Sequence, residues 1–230
     1  MVNDKIDWPK FNKNFINTFG VEQNQYTTQI EPHDWICETV QTVTRINNIL
    51  IDLSQDMWVY ISKDIFALKI NINEVGSSTM PHKVNPIDFE NAEGNFGLSN
   101  VLNDFFTNKL SKSRLQRDLS DSTVLRNIGI PFGHTLIGFK SVINGLKKLI
   151  VNKEKIEYDL DQNWIVVAEA IQTVLRREKY PEPYEKLKTL TRNNTSIDKN
   201  KIHNFINELE IREEVKKELK KITPHNYTGV

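Results

Sequence analysis

From Val43 to Tyr60 the apolar residues return at alternating intervals of three and four: Val43, Ile46, Leu50, Leu53, Met57 and Tyr60. That is the pattern of a helix packed lengthwise against others, as in a bundle or coiled coil, and the stripe reads as core. A second stripe, Leu125, Ile128, Phe132, Leu136, Phe139, Ile143, Leu146 and Ile150, continues the pattern. Pro131, with Gly129 and Gly133 beside it, predicts a kink in that helix. Helices this long set the fold class as all-α. Only nine Gly and eight Pro punctuate 230 residues, too few for a turn-rich β protein.

Other segments follow the same logic. Trp8, Phe11, Phe15, Ile16 and Phe19 make one face of a short helix over residues 7–19, stopped by Gly20. The long helix begins near Pro32, with the proline in its first turn. Another runs from Pro86 to about Leu110 and holds Gly94 and Gly97. Such glycines permit the close approach of a backbone or ligand, or a plain helix–helix contact. Near residue 150 the long stripes give way to shorter amphipathic segments, at 153–160, 164–178, 183–192, 197–208 and 211–221. The expected organisation is a helical-bundle domain over residues 1–149 and a smaller C-terminal helical domain over 150–230.

Thirty basic and thirty acidic residues cancel, which argues against nucleic acid or an anionic membrane as partner. An anion site must then be a local cluster. Cys37, the single cysteine, suits a reducing compartment and a packing role. No apolar run reaches 18 residues and the first residues are polar, so neither a span nor a signal peptide is expected. No His/Cys/carboxylate spacing points to a metal, and no cofactor is called for.

Two polar stretches stand out. In Gly76-Ser77-Ser78-Thr79-Met80-Pro81-His82-Lys83-Val84-Asn85-Pro86-Ile87-Asp88-Phe89-Glu90 the first half reads as a loop. The second half starts a helix, with Asn85 at the N-cap, Pro86 at the first position and a Val84/Phe89 staple. Two hydroxyls and a lysine before a helix start suit an anion, or make a polar connection. In residues 111–126 a basic loop with Lys112, Arg114 and Arg117 precedes a helix capped by Asp118 or Ser120. Ser122 and Arg126 then share a face. Such a set suits a phosphate or carboxylate, or forms a solvated charged loop.

Gly-Ser-Ser-x-Met-Pro-x-Lys-x-Asn-Pro resembles the signature of the fumarase/aspartase superfamily. Its continuation through Asn95, together with Ser113–Arg126 and Thr27–Asp34, resembles the adenylosuccinate lyase branch. The resemblance runs through nearly all 230 residues. It implies central helices paired in a homotetramer, with active sites where three subunits meet, in a cytoplasmic enzyme. It implies β-elimination of fumarate from adenylosuccinate and from SAICAR. Ser77 takes the place of the base, and its loop closes over the substrate. Ser78, Lys83 and Asn85 hold the carboxylates, and Met80 packs near the base. Gln29, Asn91 and Arg117 line the substrate, with Ser122 and Arg126 at the phosphate and Thr123 beside them. His82 is not used by the family. His33, His134, His203 and His225 are expected to be packing or surface residues.

One departure accompanies the match. The family's N-terminal domain and the start of its central domain, with the histidine assigned as general acid, have no counterpart in this sequence. The resemblance therefore implies the C-terminal half, or slightly more, of such an enzyme, with activity dependent on the rest. A non-catalytic helical assembly module is the rival reading. Argininosuccinate lyase or fumarase is the runner-up among enzymes.

Overall fold

The structure, a computed structural model, describes residues 5–69, 85–192 and 197–228. They gather into two compact units: the chain through Ile61 with Leu68–Leu149, and Ser62–Ala67 with the chain from Ile150 onward.

Helix α1 spans Trp8–Asn17. Asp7 caps it by accepting from Lys10 N at 3.1 Å, and Pro9 fits the first turn, where its missing N–H costs nothing. Gly20 ends the segment with φ +71°, a backbone that L side chains rarely adopt. The aromatic face of α1 is left open, and no residue of the helix is buried.

Helix α2, Asp34–Ser62, begins two residues after the predicted proline. Its buried positions are Ile36, Cys37, Val40, Asn47 and Ser54, so the inward face is rotated from the predicted stripe, whose Leu50 and Leu53 flank it half-buried against the Phe96 cluster. Ile46 and Tyr60 are 43% and 37% exposed. A polar layer accounts for the turn. Asn47 Nδ2 donates to Ser99 Oγ at 3.1 Å, Asn100 Oδ1 at 3.0 Å and Thr135 Oγ1 at 3.1 Å. Ser99 and Thr135 bond each other at 2.9 Å. A buried amide left without partners would be costly, so this face must meet its polar counterparts on two other helices.

Those helices are α3, Ile87–Leu110, and α5, Gly129–Lys148, which pack along each other. Helix α3 starts one residue later than predicted. Pro86, not Asn85, occupies the cap position, and no side chain caps the helix. A Cβ on Gly94 or Gly97 would meet nothing within 4 Å, so neither expected close approach occurs among the described residues. The glycines that matter lie on α5. A Cβ on Gly138 would stand 2.5 Å from the Phe96 ring, and one on Gly145 would stand 2.7 Å from that of Phe89. Two buried phenyl rings of α3 thus sit where α5 has no side chain.

The second predicted stripe is divided: Leu125, Ile128 and Phe139 pack against buried clusters, while the rest of it faces outward. Buried positions of α5 are Pro131, Thr135, Gly138, Ser141, Val142 and Gly145, while Leu136, Ile143 and Leu146 are exposed. The expected kink is absent because the helix is two helices. Helix α4, Ser120–Leu125, ends in a turn closed by Asn127 N to Val124 O at 3.0 Å and Ile128 N to Leu125 O at 3.2 Å. Pro131 falls in the first turn of α5, where proline is tolerated.

Short strands β1, Phe66–Leu68, and β2, Leu149–Val151, pair with each other. The second unit continues with α6 (Lys153–Gln162), a 3₁₀ turn (Trp164–Val167), α7 (Ala168–Arg177), α8 (Pro183–Arg192), α9 (Lys199–Asn207) and α10 (Glu213–Lys221). These match the predicted segments within about two residues. Trp164, Ile171, Leu175, Phe205, Ile206 and Leu219 head a continuous apolar core. Among the described residues the fold is all-α apart from one pair of short strands.

Candidate active site

Three pieces of the first unit converge: residues 27–33, the C-terminal end of α3, and residues 111–122. Gln29 N donates to Gln116 O at 3.2 Å, tying the first piece to the third. Together they line a cavity of about 200 Å³, with Thr28, Glu31, His33, Leu110, Lys112, Asp118 and Asp121 in its wall.

His33 is the fixed point of this region. It is 7% exposed and adopts φ +60°, a left-handed backbone that costs a non-glycine residue about 1–3 kcal/mol. Its own contacts hold it there. The backbone N–H donates to Glu31 Oε2 at 2.9 Å, and ring Nδ1 meets Glu31 Oε1. Across the cavity, Nε2 lies 3.3 Å from Asp121 Oδ2. Asp121 is 8% exposed, and its Oδ1 has no hydrogen-bond partner among the described residues. The sequence suggests only a packing or surface role for His33. Pairing with a residue 88 positions away leaves no local signal.

Asp118 organises the basic loop. It accepts from Arg114 Nε and Nη2 at 3.2 and 3.1 Å, and from Ser120 N and Oγ at 3.0 and 2.8 Å. The Arg114 guanidinium, then the Ser120 N–H and hydroxyl, hold its carboxyl well below the usual carboxylate range. Leu119 is the formal cap residue of α4, not Asp118 or Ser120. Asp118 nonetheless takes the first free N–H of that helix. Arg114 is thereby engaged, whereas Arg117 reaches only the edge of Asp121, with Nη1 3.9 Å from Oδ2. Arg117 keeps donors to offer a ligand, with its side chain 34% exposed.

The other predicted residues divide by position. Gln29, Thr123 and Arg126 are exposed, and half-buried Ser122 donates its Oγ–H to Leu119 O at 2.9 Å. With Arg117 they belong to the region around α4. Asn91 lies elsewhere, near the start of α3. Its Nδ2 donates to Ser141 Oγ at 2.7 Å, and its Oδ1 accepts from Asn95 at 3.1 Å. Asn95 Oδ1 accepts in turn from His134 Nδ1 at 2.9 Å. From Asn91 to Leu110 the helix rises about 28 Å at 1.5 Å per residue, and Asn85 lies farther still. One chain does not bring Asn85 and Asn91 to Gln29 and Arg117. Ser77, Ser78, Met80 and Lys83 lie outside the described residues.

The remaining histidines fit their expected roles. His225 is exposed and pairs with Asp161 at 2.8 Å, while His203 packs edge-on to Trp164. Burial, then Lys199 and Lys220, push the His203 imidazole below its ordinary value. Cys37 is free and buried, and burial raises its thiol. Among the described residues no group of three or more His, Cys, Asp or Glu is placed to hold a metal ion. No described helix is long and apolar enough to cross a membrane.

Comparison with known proteins gives two family matches. Residues 113–228 match the adenylosuccinate lyase C-terminal family, and residues 4–102 match the lyase family. Adenylosuccinate lyase of Legionella pneumophila is 57% identical over 226 residues, which cover 98% of this chain and 49% of that protein. The relatives from Dictyostelium discoideum and Escherichia coli are 53% and 51% identical, each with 98% of this chain and 49% of the relative covered. The chain thus spans about half the length of the curated relatives it matches. A class II fumarase from Schistosoma mansoni shares the fold, with a TM-score of 0.54 at 18% identity, covering 78% of this chain and 40% of that one. The match over 113–228, which takes in the Arg117–Arg126 segment and the second unit, shows that the chain belongs to the adenylosuccinate lyase family.

Proposed function

We propose that this chain contributes to a composite lyase site at which fumarate is eliminated from adenylosuccinate, giving AMP, and from SAICAR, giving AICAR. Ser77 removes a proton next to a carboxylate. A serine is a poor base at its free pKa and needs cationic surroundings, which Lys83 and the start of α3 provide. Ser78, Lys83 and Asn85 hold the carboxylates as charge develops, and Met80 packs near the base. Gln29, Asn91 and Arg117 line the substrate, with Ser122, Thr123 and Arg126 at its phosphate. The acid that protonates the departing nitrogen comes from a segment with no counterpart in these residues.

The tie between Gln29 and Gln116 carries this reading, because it sets two matching motifs side by side. The separation of Asn91 from that region supports a site shared between copies, since about 28 Å of helix is too long for one substrate to span. Exposed Leu98, Val101 and Phe105 on α3, with Leu136 and Ile143 on α5, supply apolar surface for such copies to cover. We infer a homotetramer acting in cytoplasmic purine synthesis. Residues 1–149 would form part of the central bundle domain and 150–230 the C-terminal domain.

The same exposed faces also suit a non-catalytic assembly module, and one experiment separates the two. In a chimera, this chain replaces the matching half of the Escherichia coli relative, and fumarate release is followed by absorbance. Turnover of adenylosuccinate is expected, and Ser77→Ala is expected to lower kcat by about 10²–10⁴-fold with binding retained. A folded, assembled chimera without turnover selects the assembly module. Turnover of argininosuccinate or malate alone selects a different lyase.

A further inference from the structure

We propose that His33 is a positioning residue for Arg117, acting through the carboxylate of Asp121. The inference rests on the proposed function only in taking Arg117 as a substrate-lining group.

Asp121 is buried, and Oδ2 carries both of its charge contacts: His33 Nε2 at 3.3 Å and Arg117 Nη1 at 3.9 Å. Oδ1 has no donor among the described residues. A buried carboxylate with so few partners draws any nearby donor strongly. With His33 in place that demand is met from the protein interior, and the Arg117 guanidinium stays at arm's length with donors free. Without His33, Arg117 is the side chain left to meet Asp121 Oδ2. It would close on the carboxylate and withdraw from a ligand.

His33 is itself anchored for this task. Glu31 holds both its backbone N–H and ring Nδ1, which fixes the ring in the direction of Asp121. The left-handed backbone at φ +60° sends the chain into α2, where Cys37 N donates to His33 O at 3.1 Å, so the ring rides on a long helix. Glu31, His33 and Asp121 form a rigid strut behind a loosely held arginine.

The test uses the active chimera, with thermal melting of each variant as a control for folding. His33→Asn tolerates the left-handed backbone and keeps one donor, whereas His33→Phe removes both. Asp121→Asn keeps the size and removes the charge. If His33→Phe does not fold, Asp121→Asn carries the test. His33→Phe should raise KM for adenylosuccinate on the order of tenfold, with a smaller change in kcat, and His33→Asn should lie between it and the parent. Combined with Arg117→Ala, the His33 variants should add nothing further, because both act on one contact. If Arg117→Ala raises KM but the His33 and Asp121 variants do not, the positioning proposal fails and the proposed function stands. It fails in the same way if the His33 effect persists in full without Arg117. If Arg117→Ala leaves KM and kcat unchanged, the substrate-lining role of this segment fails, and the proposal fails with it.

Discussion

The two units treat their apolar residues in opposite ways. In the second unit Trp164, Val167, Ile171, Leu175, Ile202, Phe205, Ile206 and Leu219 close into one core. In the first, Phe89, Phe96, Phe106 and Val40 are buried, yet Ile49, Leu98, Val101, Leu136 and Ile143 are 50–69% exposed. Its interior also holds Asn47, Ser99 and Thr135, bonded to one another. The second unit closes most of its apolar residues into its own core; the first has outward apolar faces that the proposed assembly would cover. Hence apolar periodicity located the interior in one unit, whereas in the other it ran along the boundary between core and exposed surface.

The largest expected effect tests this directly. Val101→Glu or Leu136→Glu places a charge on an outward face, and should convert the assembled protein to monomers by analytical ultracentrifugation with helical circular dichroism retained. Loss of helicity at unchanged mass would show that those faces serve the single chain. Next in size, Phe205→Ala should destabilise the second unit by about 3–5 kcal/mol in urea unfolding, since the ring is 6% exposed inside a closed core.

A smaller pair of changes should differ in sign. Gly138→Ala brings a Cβ to 2.5 Å from the Phe96 ring and should cost about 1–3 kcal/mol. Gly94→Ala meets nothing within 4 Å and should stabilise the helix by up to about 1 kcal/mol. Destabilisation at Gly94 in the assembled protein, but not in a Val101→Glu monomer, would place a second copy against α3. The smallest effect concerns pH. The His203 imidazole titrates below its ordinary 6.5 when folded, because burial opposes its charge. The folded and unfolded chains are both neutral there above that value. As pH falls through it, the unfolded chain gains the proton first, so stability of the second unit drops from pH 6.5 downward. Unfolding titrations of His203→Leu should lose that slope, and an unchanged slope would reassign it.

Much of the candidate site was legible because its residues are local in sequence. The 111–126 stretch announces a basic loop and a helix start through adjacent residue types, spacing puts Ser122 and Arg126 on one face, and the family resemblance assigns them and Arg117 their roles. The loop carrying Ser77 and Lys83 was marked in the same way. His33 was not, because its meaning depends on Asp121, far along the chain and brought near only by the fold. Asn91 looked like a companion of Gln29 and Arg117, but helix geometry sets it at the other end of α3.

Sequence alone determined that the chain is helical, where most of its helices start and stop within about two residues, and which segments have residue types suited to an anion. Those properties depend on neighbours three or four positions away. Tertiary structure alone decided which face of each long helix turns inward. In the first unit that choice went to Asn47, Thr135, Gly138 and Gly145. A buried amide must find its partners, and a phenyl ring needs room where a side chain is missing. Neither requirement can be seen until the helices lie side by side.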